Sequence, residues 1–204
     1  SFHANQHNYE VMTEDLLSYL NTYNLDEVSL IGHSMGGKAA MNFACMYPDR
    51  VEKLVVVDIS PKYYPPHHQE ILSGLKVVEQ SSLTSRKDAD QILSQYFSES
   101  AMRQFLLKNL YWRSSTELTF KFNLKVLSDQ IENVGQALYV NALFDKPTLF
   151  IVGQASNYIK ETDVEHIESH FTDFEIVEIP KSGHWVHAEN PDQFFDKVSQ
   201  FLIY

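Results

Sequence analysis

One serine of this sequence lies in a glycine-flanked segment that could supply a nucleophile. The pattern is Gly-x-Ser-x-Gly, and its residues are Gly32-His33-Ser34-Met35-Gly36. An apolar run precedes the serine, and a stretch rich in Ala and Met follows it. Between a strand and a helix, this pattern is typical of a sharp turn that holds a serine hydroxyl exposed for attack. We expect Gly32 and Gly36 to be required because a Cβ atom at either position would clash.

A serine hydroxyl attacks well only when a nearby imidazole accepts its proton. Nine histidines are available, and His184 is the predicted base because it follows the apolar run 174–180 and comes directly after Gly183. We expect the glycine to let the chain turn, so that the imidazole returns to the edge where the serine lies. His187 is the alternative base, but no such turn precedes it.

The acid that orients the imidazole is less obvious. In the common arrangement a carboxylate follows the strand that ends here at Gly153, but residues 154–160 contain none. Asp58 ends the apolar run 54–57, and a carboxylate there would lie at the same sheet edge as the serine. We therefore predict Asp58 as the acid. The alternatives are three acidic residues closer to the C-terminus, Asp145, Glu161 and Asp163.

The helix predicted after the serine would also contribute to the chemistry. Its first backbone N–H, at Met35, and the positive end of its dipole would face the place where a negative oxygen develops during acyl transfer. A pocket with apolar and aromatic walls would hold the substrate. The side chains that we predict to line it are those of His33, Tyr63, Tyr111, Trp112 and Trp185.

The same glycines admit a competing hypothesis. The spacing Gly32-x-x-x-x-Gly37-Lys38 is that of a phosphate-binding loop, and the strand ending at Asp58 is similar to the magnesium-holding strand of such proteins. That loop needs a hydroxyl at the next position to ligate Mg²⁺, and Ala39 has none. A nucleotide-binding protein is therefore the less favoured interpretation.

Strands and helices alternate at both ends of the chain. Strands are predicted over 27–32, 53–58, 148–153 and 174–180, and helices over 9–23, 36–47, 161–170 and 191–202. This alternation predicts an α/β fold, a parallel sheet with helices on both faces. The middle predicts a helical cap, with helices over 67–79, 88–97, 101–110 and 126–142 and a strand over 118–122. The chain then divides into a core, 1–60 and 146–204, and an inserted cap, 61–145.

Composition excludes several classes of protein. The 204 residues carry a formal net charge of −11, which argues against nucleic-acid binding because that binding depends on clustered Lys and Arg. The single cysteine, Cys45, excludes an intrachain disulfide and a thiolate metal site. The longest apolar run is too short to span a bilayer. We expect a cytoplasmic protein without a metal or cofactor; the sequence predicts no oligomeric state.

Three motifs together resemble the α/β-hydrolase superfamily, in particular serine esterases of the YbfF type and their mitochondrial relatives. They are the segment 32–39, then Asp58-Ile59-Ser60-Pro61, which begins 24 residues after the serine, and the segment 183–189 followed by Pro191. The resemblance covers essentially the whole chain and implies an α/β-hydrolase fold with a helical cap. It implies a cofactor-free esterase or thioesterase acting on small-molecule acyl esters or thioesters, with Ser34, Asp58 and His184 as its triad. A non-catalytic ligand-binding protein on the same scaffold is the alternative.

The chain departs from this family at its beginning. Members of the family begin with further strands and a His-Gly loop that supplies a second oxyanion N–H, and Ser1 matches the end of a turn that follows them. We therefore expect a chain in which the N-terminal strands are missing. A site that kept only the Met35 N–H would lose about 10²–10³ in kcat, and the fragment alone would then be inactive.

Overall fold

Four parallel strands form the sheet at whose edge the predicted site residues lie. This computed structural model describes residues 4–66, 69–81, 83–115 and 117–203. The strands of the sheet are β1 (Val28–His33), β2 (Val51–Val57), β5 (Thr148–Gly153) and β6 (Phe174–Ile179), and they lie side by side in the order β1-β2-β5-β6. Because every pair is parallel, all four strands end at one edge of the sheet.

The sheet is covered on both faces, as its apolar strands require. Along β2, Leu54 and Val56 belong to one buried cluster, whereas Val55 and Val57 belong to another, because successive side chains of a strand point to opposite faces. The first cluster includes residues of α1 (Tyr9–Thr22), α2 (Met35–Met46) and α8 (Val164–Glu168), and the second includes residues of α9 (Val186–Glu189) and α10 (Pro191–Ile203). The predicted α/β fold with helices on both faces is confirmed.

The chain divides into two units. The α/β unit comprises residues 8–64 and 136–203 of the described chain, and the inserted unit comprises 4–7 and 65–135. The inserted unit has its own apolar core, which includes Val78, Leu93 and Leu124. Its elements are α3 (Gln69–Gln80), α4 (Arg86–Leu93), α5 (Ser100–Leu107), the antiparallel pair β3 (Leu110–Trp112) and β4 (Leu118–Phe120), α6 (Leu124–Asp129) and α7 (Ile131–Val134).

The sequence predicted the elements of the α/β unit better than those of the inserted unit. Strand ends in the α/β unit differ from prediction by at most two residues. The single helix predicted over 126–142 is wrong. The chain instead forms two short helices, the second of which ends at Val134, and an irregular segment follows. In that segment Leu138 and Ala142 pack into the core of the α/β unit, and the Leu138 N–H donates to the carbonyl of Pro61 at 2.9 Å instead of to a helical partner. Residues 136–145 therefore belong to the α/β unit and not to the predicted cap.

Two sequence predictions involve residues outside the described ranges. Ser1, which the family resemblance aligns with a turn, is one of them, and so are the first two residues of the helix predicted over 67–79. Across the described ranges, no helix has the length and apolar character needed to cross a membrane.

Candidate active site

Ser34 lies between β1 and α2 in a backbone conformation that is rare for a residue with a side chain. Its φ is 54° and its ψ is −121°, in the positive-φ region that costs of order 1–3 kcal/mol for residues other than glycine. The Ser34 N–H donates to the carbonyl of Val57 at 3.0 Å, so the first residue after β1 is still bonded to β2. Met35 is the first residue of α2, and helices leave their first N–H groups without an intrahelical acceptor.

Gly32 and Gly36, the two glycines that flank the serine, differ in whether the fold leaves space for a Cβ atom. A Cβ at Gly32 would lie 2.3 Å from the carbonyl oxygen of Gly36, which is impossible without moving the backbone. Beyond its chain neighbours and the backbone of its own helix, a Cβ at Gly36 would meet no described atom within 4 Å. The expectation that both glycines avoid a clash is therefore wrong for Gly36, because that residue contributes its carbonyl to the tight approach and its own Cα faces open space.

Asp58 follows β2 and is fully buried, with an exposed fraction of 0%. Its φ is also positive, 52°, and its N–H donates to the carbonyl of Ile151 at 2.8 Å. One carboxylate oxygen accepts the Gly153 N–H at 3.2 Å, and the other accepts the hydroxyl of Ser156. The carboxylate is thus held in place by groups at and after the end of the neighbouring strand, independently of its contact with a histidine.

His184 connects this carboxylate to the serine. Its Nδ1 lies 2.8 Å from Oδ2 of Asp58, and its Nε2 lies 3.1 Å from Oγ of Ser34. A carboxylate accepts hydrogen bonds, so Nδ1 carries the proton and Nε2 keeps a lone pair for the serine hydroxyl. The three residues predicted from separate parts of the sequence therefore form one continuous hydrogen-bonded chain.

The turn that presents His184 differs from the one expected. The residue in the left-handed region is Lys181, with φ 55°, whereas Gly183 does not have a positive φ. The close approach involves Gly153, where a Cβ would lie 2.0 Å from the Gly183 carbonyl oxygen. The carboxylate of Glu189 then fixes the turn, because it accepts the N–H groups of Gly183 at 2.7 Å and of Trp185 at 3.2 Å.

Three residues to which the sequence alone assigns no role contact the site. The ring of Tyr158 stacks on His184, with centroids 4.0 Å apart and planes at 18°. Ser156 contacts Asp58, and Glu189 holds the turn. One signal in the sequence points to Ser156: no carboxylate directly follows Gly153. A hydroxyl in that segment can therefore contact the acid that follows the neighbouring strand.

The alternative acids and base occupy other places. Asp163 is buried and pairs with the Lys62 ammonium at 2.5 Å. Asp145 and Glu161 are exposed. The ring of His187 lies 5.0 Å from that of His33, edge to face. Among the described residues, it is the Asp58 carboxylate that contacts His184.

The residues predicted to line a pocket are divided between the two units. Tyr63 and Trp185 belong to the α/β unit, with exposed fractions of 52% and 44%. Tyr111 and Trp112 form part of β3 in the inserted unit. Their contact with a substrate stays a prediction. Within the described ranges, no group of three or more His, Cys, Asp or Glu side chains is placed to hold a metal ion.

His33, in contrast, contacts the site directly. Its ring lies 4.7 Å from that of His184, and its Nε2 donates to the His184 carbonyl at 2.7 Å, since a carbonyl only accepts. Burial lowers the pKa of His33 below its ordinary value of 6.5, and the hydrogen bond offsets this only in part. A neutral His33 therefore connects the end of β1 to the turn that carries His184.

This lowered pKa predicts an acid-sensitive stability. Between the lowered pKa and 6.5 the unfolded chain binds more protons at this position than the folded chain, so His33 makes the fold lose stability as pH falls below 6.5. We expect His33→Gln, which keeps an N–H donor, to show a shallower decline of the urea midpoint between pH 7 and pH 5. Exposed His166 provides the control, and His166→Gln should retain the wild-type slope. Equal slopes for His33→Gln and wild type would contradict the prediction.

Comparison with known proteins identifies the family. The chain matches the model of the alpha/beta hydrolase fold family over residues 1–191, and it belongs to that family. It is 36% identical to Esterase YbfF of Escherichia coli over 196 residues, covering 96% of this chain and 75% of that protein. It is 36% identical to the sn-1-specific diacylglycerol lipase ABHD11 of Mus musculus over 206 residues, covering 98% of this chain and 67% of that protein.

A solved structure agrees with this assignment. The structure described as a marine microorganism esterase superimposes with a TM-score of 0.90 at 36% identity, covering 98% of this chain and 79% of that one. The phosphate-loop hypothesis has no support in the site itself. Lys38 is 1% exposed and its ammonium donates to backbone carbonyls, so it is not available to a nucleotide phosphate.

Proposed function

We propose that this protein is a serine hydrolase that cleaves carboxylic esters or acyl thioesters of short to medium acyl chain through an acyl-enzyme intermediate. The observation that carries the proposal is the chain of contacts Ser34–His184–Asp58, with separations of 3.1 Å and 2.8 Å. The esterase and lipase names of its relatives support the same reaction class. The buried, unpaired Cys45 fits the reducing conditions of the cytoplasm, where we place the enzyme.

In the first half of the reaction, Oγ of Ser34 attacks the ester carbonyl carbon while Nε2 of His184 accepts the hydroxyl proton. The carbonyl π electrons move to the oxygen, and the Met35 N–H at the positive end of α2 stabilises the negative charge. Asp58 stabilises the imidazolium and keeps its proton on Nδ1. Collapse of the tetrahedral intermediate breaks the bond to the alcohol or thiol, which takes the proton from His184.

In the second half, water replaces the alcohol. His184 takes a proton from the water, the resulting hydroxide attacks the acyl carbon, and Ser34 leaves with the proton returned by the imidazolium. The products are a carboxylic acid and the regenerated serine.

Labelling of the full-length protein with a fluorophosphonate probe tests the proposal. The probe reacts with serines that an adjacent base activates, so we expect stoichiometric labelling of Ser34, located by peptide mass spectrometry. Ser34→Ala should abolish both the labelling and the hydrolysis of p-nitrophenyl acetate. Ser60, buried nearby on the segment after Asp58, provides the control, because Ser60→Ala should still label. Tight binding of acyl esters without labelling or turnover would instead indicate a ligand-binding protein.

A further inference from the structure

Lys38 is a buried charged side chain that the proposed reaction does not use. It is 1% exposed and lies in α2, one turn after the proposed nucleophile. Its backbone N–H donates to the carbonyl of Ser34 at 3.1 Å, so the two residues share the first turn of the helix. A lysine is rarely buried this completely, because removal of an ammonium group from water is costly unless hydrogen bonds compensate it.

The compensation comes from three backbone carbonyls in two segments that are far apart in the sequence. The Lys38 ammonium donates to the carbonyl of Pro61 at 3.1 Å, to that of Gln136 at 2.7 Å and to that of Lys62. An ammonium has three N–H donors, so the number of acceptors equals the number of donors. The Pro61 carbonyl also accepts the N–H of Leu138 at 2.9 Å, which joins the two segments to each other.

These carbonyls flank the two points where the chain passes between the units. The chain leaves the α/β unit after Tyr64 and returns to it at Gln136. The outgoing segment, 59–64, directly follows Asp58, and the Lys38 ammonium lies 5.3 Å from the centre of the Tyr64 ring. One side chain of the nucleophile's helix therefore holds both crossings.

We propose that Lys38 is a positioning residue for hydrolysis, which ties helix α2 to both chain crossings and so keeps Ser34 aligned with the end of β2, where Asp58 lies. This positioning role rests on the proposed function, because it concerns the same hydrolysis. Close packing provides the mechanical link, because a Cβ at Gly37 would lie 2.6 Å from Cγ2 of Ile59. A shift of the segment after Asp58 is thus transmitted to the first turn of α2.

The electrostatic environment of Lys38 opposes the charge on its ammonium group. Burial, and then the nearby Lys62 ammonium, lower the pKa of Lys38 to about 7. Lys62 itself is paired with Asp163 at 2.5 Å. The Lys38 side chain is thus held by main-chain carbonyls, whose positions depend on how the two crossings run.

The test compares Lys38→Met with Lys53→Met in the full chain. Lys53 is a matched control, because its ammonium also donates to backbone carbonyls, those of Phe201 at 2.9 Å and Leu202 at 3.2 Å, but lies near the opposite end of β2. Hydrogen exchange is followed in peptides covering 59–64 and 136–140. The kcat and KM for p-nitrophenyl acetate are measured at temperatures where circular dichroism shows each variant folded. Lys38→Arg, which keeps the charge and donors, is measured alongside.

We expect Lys38→Met to speed exchange in both crossing segments and to lower kcat by about 10–100-fold, with KM within about twofold, because small misplacements of reacting groups reduce the chemical step most. Lys38→Arg should recover part of kcat. Lys53→Met should lose thermal stability but keep wild-type kcat and wild-type exchange at the crossings. Unchanged kcat in folded Lys38→Met would overturn the positioning role. If Lys38→Met does not fold, the role would be overturned by a Lys38→Arg variant that shows wild-type exchange in both crossing segments but has kcat lowered by about 10–100-fold.

The two proposals fail in different ways. If the full-length wild-type protein neither labels at Ser34 nor hydrolyses the ester, the proposed function is wrong. Hydrogen exchange still tests the contact of Lys38 with the crossing segments. Wild-type exchange at 59–64 and 136–140 in Lys38→Met would show that Lys38 does not hold the crossings.

Discussion

Replacement of Asp58 by asparagine is expected to lower kcat by about 10⁴-fold, because a carboxylate that orients the catalytic imidazole also fixes its tautomer. The introduced amide would keep an oxygen for the Gly153 N–H, so the fold around the site should persist. Its nitrogen, however, would favour a histidine tautomer with the proton on Nε2, which cannot accept the proton of Ser34. The measurement is kcat for p-nitrophenyl acetate, with circular dichroism to establish folding.

Asp163→Asn is the control for this experiment. Asp163 is also buried and also charged, but it pairs with Lys62 and does not contact His184. We expect this variant to keep kcat within about threefold of wild type, at a cost in stability, because it leaves the Lys62 ammonium without its carboxylate. Near-normal turnover in Asp58→Asn together with an inactive Asp163→Asn would assign the acid to Asp163.

The second large effect is expected from Gly32→Ala. The added Cβ would lie 2.3 Å from the Gly36 carbonyl oxygen, 2.6 Å from its carbonyl carbon and 2.7 Å from the Cα of Gly37. All three are backbone atoms, so no side-chain rotation relieves the overlap and the turn itself must open. We expect a loss of about 3 kcal/mol or more in the free energy of unfolding, measured by urea denaturation, and loss of probe labelling at Ser34.

Gly36→Ala is the matched comparison, since it adds the same methyl group four residues away. Beyond its chain neighbours and the backbone of its own helix, no described atom lies within 4 Å of that Cβ, and Gly36 has no positive φ. It lies in the first turn of α2, where alanine is favoured over glycine by about 0.5–1 kcal/mol. We expect this variant to be slightly more stable than wild type. If the two variants lost stability equally, the steric account of the turn would be wrong.

The apolar pattern predicted the sheet because parallel buried strands are encoded locally. Runs such as Leu54–Val57 read as strands without knowledge of their neighbours, and β5 begins and ends where the sequence predicts. The inserted unit was harder, because its chain changes direction often and some of its short elements depend on pairing. Leu110, predicted as the end of a helix, instead pairs with Phe120 in a two-stranded sheet. The sequence alone assigns residues 136–145 to the cap, because the core residues that they pack against are distant in sequence.

The sequence alone predicts the three side chains that we propose as the reacting groups. A serine between glycines, an aspartate after an apolar run and a histidine after Gly183 are local patterns, and the three side chains meet because parallel strands end at one edge of the sheet. Only the tertiary structure shows the partners around them: the Ser156 hydroxyl on the carboxylate, the Glu189 carboxylate on the histidine turn and the Lys38 ammonium on carbonyls of both crossings. These contacts join residues from separate elements and satisfy buried polar groups. No local pattern encodes such partners, because each is chosen by the geometry that remains once the strands and helices have packed.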